Sequence, residues 1–144
     1  YILPLDKKNV DNPLTEEAIQ NICQNYESSN LECIVPTKKE LDRFYMTESE
    51  KRISKSSFPH INWPNSNSTA KKLYVALISA QNNRDANIIN ARLFKIMGSN
   101  ETSLCGYRYT YSQKHPWNFK NIVNRISNEF TTEIVADQST PEKT

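Results

Sequence analysis

The sequence predicts an α+β fold: an antiparallel four- to five-stranded sheet with two main helices packed against it, plus an inserted helix and loop segment. Three observations predict it. Residues 71–112 hold three alternating stretches, KKLYVALISA, NIINARLFKIMG and LCGYRYTYS, parted only by the short polar runs NNRDA and SNETS, the pattern of an antiparallel meander. Segments before and after it carry apolar residues at helical spacing. Between the first helical stripe and the meander lies a polar, serine- and asparagine-rich stretch that matches neither period.

Taken in order, YILPL at 1–5 reads as an edge strand, where Pro4 removes no needed donor. The first helix starts at Asn12-Pro13, with Glu16 and Glu17 at the positive end of its dipole. Leu14, Ala18, Ile22 and Tyr26 form its apolar stripe. LECIVP at 31–36 reads as a short strand, and Thr37 with Glu40 as a capping box opening a second helix with Leu41, Phe44 and Tyr45 on its apolar side. Residues 46–70 read as mostly irregular, pinned by Phe58, Ile61 and Trp63. In the last strand Cys105, Tyr107, Tyr109 and Tyr111 share one face, and Leu104, Gly106, Arg108 and Thr110 the other. The final helix starts near His115-Pro116, carries Phe119, Val123, Ile126 and Phe130 inward, and gives way after Phe130 to a frayed polar tail. The chain of 144 residues is long enough for one core, so residues 1–132 are expected to form a single domain and 133–144 a tail. A start at Tyr1 rather than Met leads us to expect a piece cut from a longer protein.

The formal net charge is only +2, but residues 71–125 hold nine basic groups against two acids, while residues 1–35 hold two lysines against six. Such a distribution can place a basic face on a nearly neutral molecule; the ordinary alternative is a solvated surface. Cys23, Cys33 and Cys105 are odd in number and lack metal-type spacing, which predicts free thiols in a reducing compartment. The sequons Asn67-Ser68-Thr69 and Asn100-Glu101-Thr102 keep open a third reading, a secreted disulfide-containing domain. No apolar run approaches a membrane span. His60 and His115 have no partner pattern for acid–base chemistry, and the only glycines, Gly98 and Gly106, build no phosphate-cradling loop. The sequence therefore calls for no catalytic residue, no metal and no cofactor. Nucleic-acid binding is disfavoured as well, because the tyrosines of 107–111 share the face of Cys105 and read as core.

The stretch GYRYTYSQKHPWNFKNIVNRISNEF at 106–130 resembles the closing strand and helix of the kinase-associated domain, type 1. That domain ends the microtubule-affinity-regulating kinases and their fungal relatives, including the septin-associated bud-neck kinases. Gly106, Arg108 and Tyr109 match the start of the family pattern; Phe119, Lys120, Asn121, Ile122, Ile126, Asn128 and Glu129 match its end. Relative to the compact animal form, residues 37–70 read as an insertion, and the asparagine-rich composition suits a fungal member.

The resemblance implies a non-catalytic, membrane-targeting regulatory module of a Ser/Thr protein kinase. It would bind anionic phospholipids such as phosphatidylserine through a basic surface, inhibit its own kinase domain in cis, and sit peripherally at the cytoplasmic face of the plasma membrane, at the bud neck in a septin-associated kinase. Arg108 and Lys120 match basic positions of the family; Thr110 and Tyr111 stand where the animal kinases carry further basic residues, so other groups must supply charge. The candidates are Lys114 in the following loop, Lys71 and Lys72 entering the meander, Arg92 and Lys95 on its middle strand, and Lys7 and Lys8 before the first helix. Arg92 and Lys95 have opposite strand parity and cannot share a face without a bulge. The competing reading is a protein-docking domain that meets a partner subunit or a septin-associated scaffold rather than lipid.

Overall fold

The computed structural model describes residues 1–53, 60–63, 72–98 and 100–139. Strands Ile2–Pro4 (β1), Leu73–Asn83 (β2), Ala86–Met97 (β3) and Asn100–Ser112 (β4) lie side by side in that order. β2, β3 and β4 are the expected antiparallel meander. The first hairpin closes on Arg84 and Asp85, with Arg84 in the left-handed region at φ 55°, as a two-residue turn between twisted strands requires. Gly98, at φ 59°, opens the second turn.

The sheet is mixed rather than purely antiparallel. β1 runs parallel to β2, pairing Ile2 with Ala76 and Pro4 with Ile78. Parallel neighbours need a long crossover, and the chain has one: it leaves β1, forms helix Pro13–Ser28 (α1), and returns to β2 only at Leu73. LECIVP forms no strand. The Ile2 N–H donates to the Ile34 carbonyl at 3.0 Å, but no ladder follows. Ile34 and Val35 stay exposed, and Pro36 brings no donor.

The helices follow their caps. The Asn12 side chain accepts from the Leu14 N–H at 3.0 Å and starts α1. Thr37 and Glu40 form the capping box of the short helix Lys38–Leu41 (α2). Thr47 and Glu50 repeat the device for Glu48–Ile53 (α3), inside a stretch expected to be irregular. Helix Asn118–Ser139 (α4) continues well past Phe130, because Ile134 extends the buried stripe and Asp137 finds partners on the sheet.

α1 and α4 cover one face of the sheet. Ile19, Ile22, Val123, Ile126 and Phe130 pack there against Ala76, Ile78, Ile89, Ala91 and Leu93. Side chains from 37–53 and 60–63 cover part of the other face: Leu41, Phe44, Tyr45 and Ile61 pack on Leu3, Val75, Leu77, Phe94 and Ile96. Trp63 stacks on Phe94 with ring centroids 4.9 Å apart; Phe58, also expected to anchor this stretch, lies outside the described residues. Tyr111 is buried and Tyr107 and Tyr109 half-buried on the helix face, while Gly106, Arg108 and Thr110 point away from it. Leu104 does not follow them. A bulge skips it as β4 pairs Cys105 with Leu93 and Ser103 with Phe94, and Leu104 turns into the helix-side core.

Cys23 and Cys33 are joined in a disulfide, Cα atoms 5.6 Å apart, where free thiols were expected. The link ties α1 to the segment that runs past β1. Cys105 is free, and burial pushes its thiol up to about 11, so it stays protonated at neutral pH. No helix among the described residues is long and apolar enough to cross a membrane.

Candidate basic surface

The topology divides the molecule into two ends. At one lie the start of β2, the β3–β4 turn and the C-terminus of α4. At the other lie the β2–β3 turn, the exit of β4 and the N-termini of α1 and α4. The candidate cations among the described residues fall on both ends and on the open face of the sheet, so the structure does not unite them.

Lys72 and Lys95 sit at the first end, on the helix side. Both ammoniums reach Asp137 of α4, Lys95 at 3.2 Å and Lys72 at 3.6 Å, with side chains only 17% and 14% exposed. Lys72 also donates to the Asp137 carbonyl at 2.8 Å, and the Tyr74 hydroxyl to the Asp137 carboxylate at 2.6 Å. Burial would raise the Asp137 pKa, but the Tyr74 hydroxyl and the two ammoniums outweigh it and hold the carboxyl below the usual range. The charge of these lysines is therefore committed inside the fold.

Arg92 lies on the opposite face, as its parity required. It pairs across β3–β4 with Gly106, while Arg108 pairs with Asn90. Leu5, Asn90, Arg92, Gly106, Tyr107 and Arg108 line an open depression of ≈ 600 Å³. Arg92 reaches across Gly106, where an added Cβ would stand 3.7 Å from its Cγ, an ordinary contact. Packing therefore does not demand glycine at this motif position.

Arg108, Lys114 and Lys120 are exposed, and none forms an ion pair with another described residue. Lys114 and Lys120 belong to the second end. From Thr102 to Asn128 the chain carries no acidic residue. Lys120 occupies the first turn of α4, where the helix dipole favours an acid, and that turn has none. Gln113 fixes the geometry here: its N–H donates to the Asp85 carbonyl at 3.1 Å and its side-chain amide to the Arg84 carbonyl at 2.6 Å. This brings Arg84 and Lys114 together, a proximity hidden by their separation in sequence. Lys7 and Lys8 are exposed at the same end, in a 3-10 turn capped by Asp6, with Lys8 lining a recess beside Asp11 and Asn82. Lys71 lies outside the described residues.

Sequence reasoning passed over Trp117, which is 61% exposed and lies in the chain between the exposed Lys114 and Lys120. The signal was available: Trp117 precedes the Phe119, Val123, Ile126, Phe130 stripe and is not part of it. No family model matches the chain, and no curated protein or solved structure matches it either.

Proposed function

We propose that this chain is a non-catalytic, membrane-targeting module that binds anionic phospholipids such as phosphatidylserine through exposed basic groups. The observation that carries the reading is the acid-free run from Thr102 to Asn128, which presents Arg108, Lys114 and Lys120 to solvent without ion pairs among the described residues. Each basic group near an anionic leaflet contributes about 1 kcal/mol, so a few suffice for measurable, salt-sensitive binding. Placing Lys120 at the positive end of α4 works against helix stability, which favours a binding role over a structural one. The resemblance of residues 106–130 adds the parent: a Ser/Thr protein kinase, of the fungal septin-associated type, inhibited in cis by the module. The mixed sheet departs from the antiparallel sheet that the alternating stretches predict. Sedimentation with vesicles containing phosphatidylserine tests the reading, wild type beside Arg108→Ser/Lys120→Ser. Binding that requires anionic lipid and falls in the double variant supports it. Absence of binding on every vesicle favours the protein-docking alternative.

Two observations favour a second reading, a secreted domain. Cys23 and Cys33 are disulfide-bonded, and disulfides persist mainly in oxidising compartments. Asn100 and Thr102 of one sequon are exposed at the start of β4. A glycosidase-sensitive mass increase after expression in a secretory host, absent in Asn100→Gln, would support that reading over a cytoplasmic one.

A further inference from the structure

We infer that the end of the sheet formed by the β2–β3 turn and the β4–α4 connection is where the molecule meets an anionic bilayer, Trp117 entering the headgroup region and Arg84, Lys114 and Lys120 meeting lipid phosphates around it. The inference rests on the lipid-binding reading and adds to it an apolar anchor, an orientation and Arg84. Trp117 leaves most of its ring in water, while Trp63 is packed on Phe94. An indole presented among cations suits the membrane–water interface, where its apolar body and its N–H are both accommodated.

The ring is held in place. His115 packs against it with centroids 4.8 Å apart, and Pro116 stiffens the backbone between them. The Ser112 carbonyl accepts from the His115 N–H at 3.0 Å, and the Ser112 hydroxyl from the Lys114 N–H at 3.2 Å. The carbonyls of His115 and Pro116 accept from the Asn118 and Phe119 N–H groups and lead the loop directly into α4. Binding therefore has little loop entropy to remove. The charge fits the same orientation: Arg84, Lys114 and Lys120 face a single acid in the joined turns, Asp85, and no ion pair among the described residues ties them down.

Trp63→Phe leaves Trp117 as the sole tryptophan reporter. With phosphatidylcholine vesicles containing phosphatidylserine, its emission is expected to shift to the blue and to be quenched by brominated lipids at shallow depth. In sedimentation of the otherwise wild-type chain, Trp117→Ala is expected to lower partitioning about tenfold, and Lys114→Ser/Lys120→Ser by at least that. The sedimentation arm decides the matter even where Trp63→Phe impairs folding. If Trp117→Ala binds phosphatidylserine vesicles as tightly as wild type, the inference is overturned while the lipid reading stands. If wild type binds no vesicle at low salt, both fall, and a protein partner becomes the occupant to seek.

Discussion

The two ends of the sheet treat positive charge in opposite ways. At the Asp137 end, Lys72 and Lys95 are drawn in and paired with a carboxylate that also accepts from Tyr74. At the Gln113 end, Arg84, Lys114 and Lys120 stand in water beside an exposed tryptophan, and a lysine replaces the acid that a helix start favours. Count and type of cation are similar. The difference lies in what the fold supplies opposite them, so a basic residue is assigned to structure or to binding by its partner rather than by its position in the sequence.

The largest effect is expected at the helix that spans both ends. Phe130→Ala, at a fully buried position in α4, should cost about 3–5 kcal/mol through the cavity it leaves. Chemical denaturation would show a lower midpoint, and both ends should loosen together. Asp137→Asn acts on one end only and should cost about 2 kcal/mol, read as a lower thermal midpoint. The pH dependence has a definite sign. The folded pKa of Asp137 is depressed, so its stabilisation is present above its unfolded value of about 3.9 and is lost as pH falls through the lower folded value. Melting wild type and variant from pH 7 downward should therefore show the gap between them closing in acid.

At the other end the effects on stability are small, and that of Lys120 is reversed in sign. Gln113→Ala should cost about 1 kcal/mol by freeing the β2–β3 turn, with amide exchange quickening near Arg84. Lys120→Glu should stabilise α4 by about 0.5 kcal/mol, since it puts an acid in the first turn, while weakening binding to anionic vesicles. A loss of stability in that variant would mean that Lys120 has a structural role.

Local chemistry made much of this legible in the sequence. Asn12-Pro13, the Thr37–Glu40 box and the polar turns between alternating stretches each formed what their residues specify. Strand alternation alone put Arg108 outside and Tyr111 inside. What stayed hidden depends on distant partners. The parallel pairing of β1 depends on residues more than seventy positions away, and the Asp137 cluster joins a segment expected to be a tail to the first and middle strands of the meander. The bulge at Leu104 reverses parity without any glycine to mark it. The second capping box, Thr47 with Glu50, was readable and outweighed by the serine-rich composition around it.

The division between the ends is tested most directly by measuring vesicle sedimentation and thermal midpoint on the same two variants, Lys114→Ser/Lys120→Ser and Lys72→Ser. The first should lose binding to phosphatidylserine vesicles at about 0.1 M salt and keep the wild-type midpoint. The second should lower the midpoint and, below it, bind as wild type does. Equal loss of binding in both, or a lowered midpoint in the first with binding intact, would contradict the division.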